Sequence, residues 1–441
     1  MAKQTIQIKD FIANEWASYA DYDNRRSLPH IMDGLKITQR KALYTALSLP
    51  KDVKPQRVSQ FASDAGAKTA YHHGDSSMIT TVVGLAQDFP GSNNYPLLEK
   101  HGQFGTRLSN TSSAPRYIHT KLGENWHKFF KKEDQDIVED LYDDGDKIEP
   151  KFFIPIVPVV LLNGSDGVGN GYKSKILNYD VASVAKACRE MLKYGKVKTP
   201  LIPHMLGWKG TVTKVDRQVT FTGVLKIVHT TKLHITELPP GYDNEDYKKL
   251  LNKLIEDKKI KDYENRSSED GWDWTIECSR ETSSIGQAKL LEMLGLVEKT
   301  TENFVVWGMD ATRPMTFAGP EELIEYWYGE RLKLYDLSIQ HQIQEVDNAI
   351  IRADLKMRFI KWCLKNDFRK LTRKEFIDNS VASVKNLTIE LASDFVAMPM
   401  YRITTDEVNK LATEIEKQLD YLEELGELTP VILMERNLKG L

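Results

Sequence analysis

Between Gly329 and Gly426 the chain holds no glycine, and its one proline there is Pro399. The two residue types that interrupt helices are almost absent from this stretch, so it is committed to long helices. Ile339, Ile343, Val346, Ile350, Ala353, Met357, Ile360 and Leu364 follow one another at alternating steps of four and three, the pattern of a heptad seam. The spacing predicts one helix from roughly 320 to 366, ~70 Å long at ~1.5 Å per residue. Val408, Leu411, Ile415, Leu419 and Leu422 make a second seam behind an N-cap candidate at Thr404 or Thr405. The two are expected to pair antiparallel, with residues 367–403 as a small cap at the far tip. An ordinary helical bundle would show similar seams, so the pattern speaks for helices and not yet for a function.

The rest of the chain has a different texture. Residues 6–50 read as helices, the second beginning after a turn at Asp33-Gly34. From 51 to 120 short helical pieces are broken by polar turns, as in a helix-turn-helix or winged-helix DNA reader or in any small helical domain. From about 152 to 315 strands and helices mix. The apolar run Phe152 to Leu162 is strand-like, "GTVTKVDRQVTFTG" and "KLHITEL" alternate as half-buried strands do, and "DNEDYKKLLNKLIEDKK" is an amphipathic helix. No internal repeat or low-complexity tract is present. The expected fold is mixed, mainly α with α+β parts.

A chain of 441 residues, 41% hydrophobic and 28% charged, is long enough for two to four domains. Its formal net charge of -3 argues against a generally basic nucleic-acid coat. The charge is unevenly spread. Residues 1–120 hold 14 Lys and Arg against 10 Asp and Glu, with five of the ten His, whereas residues 401–441 hold 5 against 9. An anionic partner is expected to meet the N-terminal part. Cys188, Cys278 and Cys363 are isolated and read as thiols of a reducing compartment. The start of the chain is charged from Lys3 onward without a leader-like apolar core, and no run is long enough to span a bilayer. A soluble, cytoplasmic protein is expected.

Three segments carry candidate chemistry. In "APRYIHT", Arg116 precedes Tyr117. A tyrosine is a poor nucleophile near neutrality, with a pKa of ~10. To attack a phosphodiester it needs a cation that stabilises the charge of the pentavalent state, and an adjacent guanidinium offers one. The dipeptide alone means little among 18 tyrosines. In "YHHGDSS", His72 and His73 precede a tight turn and could hold a phosphate, shuttle a proton or simply pack; nothing sits at zinc spacing. In "DGLKITQRK", Lys36, Arg40 and Lys41 at i, i+4 and i+5 would share one side of a helix, either as a phosphate-facing stripe or as a solvated face. "NGSDGVGNG" imitates a dinucleotide loop but has Tyr172 where the third glycine belongs. Asp144 and Asp146 of "YDDGD" read as a solvated acidic turn rather than a Mg²⁺ pair. No G-x-x-x-x-G-K-[ST] loop for ATP occurs.

Taken together, "RSLPHIMDGLKITQRKALY", "TAYHHGDSSMITTVVGLAQDFPGSNN", "GQFGTR", "APRYIHTKL", "YDDGDKIEPKFFIPIVPVVLLNGSDGVGNGYKSKI", "GWKGTV", "HITELPPG" and "MPMYRIT" resemble the breakage-reunion part of type IIA DNA topoisomerases. The order and spacing match over essentially the whole chain. "YHHGD" and "GSNN" are closer to the eukaryotic enzymes than to gyrase A, and the early start of the breakage segment resembles the stand-alone medium subunits of T-even bacteriophage enzymes. The resemblance implies a winged-helix breakage domain over 1–153, an α+β tower over 154–318, coiled-coil arms over 319–366 and 404–441, and a dimer-gate tip over 367–403. It implies Tyr117 as the nucleophile forming a 5′-phosphotyrosyl link, with Arg116 stabilising the transition state and His73 and His72 on the neighbouring phosphate. Lys36, Arg40 and Lys41 would lie on the DNA backbone, and Val168 would stand where the family inserts an isoleucine between base pairs. It further implies double-stranded DNA and a second copy of the chain as partners. Mg²⁺ and ATP would be handled by a Toprim- and ATPase-bearing partner, in the host cytoplasm if the chain is phage-encoded.

Other readings make different demands. A tyrosine recombinase links to the 3′ side and needs an Arg-His-Arg set. A rolling-circle nickase needs a His-hydrophobe-His metal motif. An architectural DNA-binding protein would account for the heptads and basic stripe but not for "APRY" in this context.

Overall fold

The computed structural model describes residues 7–50, 52–310, 312–368 and 370–441; the charged start at Lys3 lies outside them. The fold mixes α and β, with one long helix and several small sheets. It divides into two compact units, one running up to Arg331 and including Glu435–Leu441, the other Leu332–Met434. No helix among the described residues is long and apolar enough to cross a membrane.

The first unit opens with a helix that starts at Ile8–Phe11, widens through a π-turn at Ile12–Trp16 and continues as Ala17–Ser27. The turn that follows is fixed by Asp33 and Gly34. The buried Asp33 carboxylate accepts the Leu35 and Phe153 backbone N–H groups, each at 3.0 Å. Gly34 has φ +69°, and a Cβ there would lie 2.3 Å from the Val160 nitrogen, so only glycine fits. Helices Ile37–Leu47, Val58–Lys68 and Asp75–Ala86 then pack on a three-stranded antiparallel sheet ordered Gln56–Arg57, His119–Leu122, Leu98–His101.

The run Phe152 to Leu162 is not a strand. All eleven residues are buried, but Pro155 and Pro158 deny the run a continuous ladder, and it ends as the short helix Val159–Asn163. The alternating segments behave as expected. Thr211–Val215 and Gln218–Thr222 form a hairpin extended by Val297–Thr301. Lys232–Glu237 lies inside a four-stranded sheet with Val224–His229, Trp274–Glu277 and Asp262–Asn265. The Asp243 carboxylate caps helix Asn244–Glu256 by accepting the Asp246 N–H. That helix buries Tyr247, Leu251 and Leu254 against Leu233, Ile235, Trp274 and Ile276.

The long helix runs from Pro320 to Lys365. Its first turns belong to the first unit, where the Trp327 indole donates to the Met32 carbonyl and the buried Arg331 pairs with Asp134. In the second unit it lies antiparallel to helix Thr405–Gly426, whose N-cap is Thr404. Tyr421 donates to Gln342 at 3.2 Å and Lys356 meets Glu407 at 3.4 Å, so a step of fourteen residues along one helix is matched by fourteen back along the other. Ala353, Ile360, Val408 and Leu411 are buried between them. Two seam positions depart from expectation. Leu364 and Leu419 are exposed, and near the helix end Phe359 and Cys363 take the inner face with Phe376 and Phe395. A strict seven-residue repeat drifts around a straight helix, so an added layer of packing residues shifts which face points inward.

Candidate nucleic-acid interface

Every candidate residue lies in the first unit. Tyr117 sits just before the central strand of the three-stranded sheet. The turn Ala114–Tyr117 is closed by the Tyr117 N–H donating to the Ala114 carbonyl at 2.9 Å. Ile118, the next residue, is fully buried, and the Val58 N–H donates to its carbonyl. Burying Ile118 obliges Tyr117 to face outward, and it is 66% exposed. The Arg116 guanidinium lies 4.8 Å from the Tyr117 ring centroid. A phenol and a guanidinium therefore stand together at a solvent-facing edge.

His72 and His73 lie between the helix Val58–Lys68 and the helix that begins at Asp75. His72 is exposed, its Nε2 3.5 Å from Asp143 of the acidic hairpin Asp140–Asp143/Asp146–Pro150. His73 Nε2 is 2.5 Å from the Tyr22 hydroxyl, and its ring meets Tyr71 edge-on at 5.2 Å. Burial, then the charges of Arg26 and His72, lower the His73 pKa from 6.5.

A polar groove of about 600 Å³ shares Arg26 with the surroundings of His73 and is lined also by Lys36, Asp23, Asp166, Thr80 and Val168 among others. Lys36 donates to the Asp166 carbonyl at 2.6 Å, and burial lowers its pKa against the opposing pull of Asp166. Val168 ends the first strand of the hairpin Ser165–Val168/Lys173–Ile176 and is 69% exposed. The glycines beside it let this hairpin press on the N-terminal helix: a Cβ on Gly167 would lie 2.1 Å from the Ser27 carbonyl, and one on Gly169 2.2 Å from the Asn24 side chain. A valine held outward on a backbone that cannot retreat has the geometry of a wedge.

Arg40 and Lys41 do not belong to this surface, contrary to the stripe read from the sequence. Lys36, the N-cap of helix Ile37–Leu47, lines the groove, whereas the other two cations are shut from solvent. Arg40 is 4% exposed and pairs with Asp33 at 2.7 Å. Lys41 is 8% exposed; its ammonium meets Glu149 at 2.8 Å and donates to the Thr69 carbonyl at 2.5 Å. Both brace the segments that carry the site without reaching solvent. Sequence reasoning alone passes over Arg26 and Tyr22. Arg26 is basic and lies near Lys36 in the chain, a signal open to such reasoning; nothing local marks Tyr22. Among the described residues no hydrogen bond or ring contact joins Arg116 or Tyr117 to His73, Lys36 or Val168.

An exposed tyrosine with a guanidinium is one feature of this unit, and a polar groove with two cations, two carboxylates and an exposed valine is another. The family of DNA gyrase/topoisomerase IV A-type subunits matches residues 26–438. The chain belongs to that family. It is 33% identical over 365 residues to DNA topoisomerase 2 of Penicillium chrysogenum, covering 81% of this chain and 23% of the relative. It is 29% identical over 454 residues to the mitochondrial DNA topoisomerase 2 of Dictyostelium discoideum, covering 99% and 35%. The chain thus spans well under half of the length of these relatives. The crystal structure of the Plasmodium falciparum topoisomerase II DNA-binding, cleavage and re-ligation domain superposes with a TM-score of 0.90 at 26% identity, over 98% of this chain and 63% of that one.

Proposed function

We propose that this chain cleaves and rejoins DNA within an ATP-dependent type II topoisomerase. The observation that carries the reading is the outward Tyr117 under the Arg116 guanidinium, in a chain of this family. The Tyr117 oxygen would attack the scissile phosphorus as its phenolic proton leaves. A Tyr–O–P bond forms, the P–O3′ bond breaks, and the 3′ oxygen takes up a proton. The phosphoester is exchanged, not hydrolysed, so the reverse step reseals the strand. Arg116 would stabilise the equatorial oxygens, where charge concentrates in the transition state. His73 and His72 would hold the adjacent phosphate, with Lys36 on the backbone and Val168 opening a base step.

Two copies would supply one tyrosine to each strand. In this reading residues 1–153 form the winged-helix breakage domain, 154–318 the tower, 319–366 and 404–441 the coiled-coil arms, and 367–403 the dimer gate. No group of three metal-ligating side chains converges among the described residues, and no step is assigned to a metal held here. Mg²⁺ and ATP would be supplied by a Toprim- and ATPase-bearing partner, as in a divided phage enzyme. The test is to purify the chain with its natural partners and assay ATP-dependent strand passage and trapped cleavage complexes. Protein attached to 5′ ends is expected; protein on 3′ ends, or strand passage without covalent complexes, overturns the proposal.

A further inference from the structure

We infer that Tyr22 is a positioning residue that fixes the tautomer of His73, so that the uncharged ring offers its Nδ1–H to a DNA phosphate. The inference rests on the proposed role of His73. The Tyr22 hydroxyl lies 2.5 Å from His73 Nε2. A phenol is the better donor and an imidazole nitrogen the better acceptor, so the proton in this contact belongs to the tyrosine. Nε2 is then occupied as an acceptor, and the single ring proton of a neutral histidine must sit on Nδ1.

The surroundings make this arrangement useful. Tyr22 and Arg26 reach His73 from the helix Ala17–Ser27, Tyr71 and His72 stand beside it on its own segment, and Asp143 of the acidic hairpin engages His72. Of these, Arg26 and His72 oppose a positive charge on His73. A ring kept neutral can hold an anion only through an N–H aimed at it, and without Tyr22 nothing among these contacts would keep that proton off Nε2. The helix carrying Tyr22 is itself anchored beside the site: the Trp307 indole donates to the Asn24 carbonyl at 3.0 Å, and the Asn24 amide donates to the Asn170 carbonyl at 3.2 Å. The hydroxyl is thereby held opposite the ring from outside the His73 segment.

Tyr22→Phe removes only the hydroxyl and keeps the aromatic body. In the full chain without DNA, labelled with ¹⁵N-histidine and with the His73 signals assigned through His73→Gln, the ring nitrogens report the tautomer at about pH 8, where the imidazole is neutral. The wild type should show protonated Nδ1 and bare Nε2, and Tyr22→Phe should move the proton to Nε2. The same tautomer in both proteins overturns the inference. In the enzyme assembled with its partner, cleavage by Tyr22→Phe should fall about tenfold at pH 8, the worth of one hydrogen bond. The mutant-to-wild-type ratio should recover towards one at an acidic pH where the ¹⁵N signals show the ring doubly protonated, so that it donates from both nitrogens. A loss equal at both pH values would make Tyr22 a packing residue and overturn the inference. If His73→Ala cleaves as well as wild type, the role of His73 fails instead, whatever tautomer the spectra show.

Discussion

The charged and polar side chains that short segments of the first unit contribute fall into two layers. On the outside stand Arg116, Tyr117 and His72, open to solvent, with the half-buried Lys36 and the apolar tip Val168. Beneath them lie the pairs Arg40–Asp33 and Lys41–Glu149, nearly closed to water. The outer layer has little to gain from its own contacts, since an exposed charge pair is worth ~0–1 kcal/mol. The inner layer does the holding: Asp33 ties the Arg40 helix to the Phe153 backbone, and Lys41 ties that helix to the end of the segment leading into His72 and His73. Reactive groups can stand unprotected because their rigidity is supplied from below.

The comparison breaks most sharply at Tyr117. Tyr117→Phe should abolish cleavage and relaxation while leaving DNA affinity and unfolding temperature close to wild type, and a trapped covalent complex formed by the mutant would refute its role. Lys41→Met should do the opposite. Removing one member of a buried pair costs about 3–5 kcal/mol, read by denaturant titration, whereas the salt dependence of DNA binding by the folded protein should not change. Lys36→Ala completes the contrast, with little loss of stability and a salt slope reduced by about one unit. If Lys41→Met changes the salt slope and Lys36→Ala does not, the two layers have been assigned the wrong way round.

Acid should probe the inner layer next. His30 stacks on Phe152 with ring centroids 5.1 Å apart, and its Nδ1 accepts the Met32 N–H at 3.2 Å. Burial pushes its pKa down from 6.5 to about 4, against the pull of Asp33. The folded state therefore binds fewer protons than the unfolded chain between these values. The stability of the wild type is complete above pH 6.5 and falls as the pH drops towards 4, by about 3 kcal/mol. His30→Gln should remove that component of the acid slope; an unchanged slope would show that the ring charges freely in the fold. The smallest effect is expected at the tip of the outer layer. Val168→Ala should straighten bound DNA in a fluorescence bending assay while changing affinity less than about threefold, because phosphate contacts carry most of the non-specific binding. An unchanged bend would make Val168 an idle surface residue.

How far the sequence could be read follows from the range of each interaction. The strands within Thr211–Thr222 and the helix Asn244–Glu256 were legible because alternation and amphipathic spacing act over a few residues. Tyr117 was singled out through the company of its motif, and its outward position follows from the buried Ile118 beside it. The fates of Arg40 and Lys41 were not legible: Lys41 is paired with Glu149, 108 residues away, and although Asp33 lies only seven residues from Arg40, spacing does not show that the pair is buried. Tyr22 was hidden for the same reason, with 51 residues between it and His73. The apolar run at Phe152 misled because hydrophobicity reports burial and not conformation, and its prolines settled the latter.

The matched steps of the two long helices in the second unit bear on how this arm can vary in inheritance. Gln342 meets Tyr421 and Lys356 meets Glu407. A codon gained or lost in the outgoing helix moves every later partner out of line and rotates the inner face by about 100°. A deletion in one strand of the arm is therefore tolerated only with an equal deletion in the other, and whole heptads are the smallest change that keeps the same side chains inside. Homologous arms of different length should differ by paired insertions, a genetic signature that a single helix or an unpaired loop would not leave.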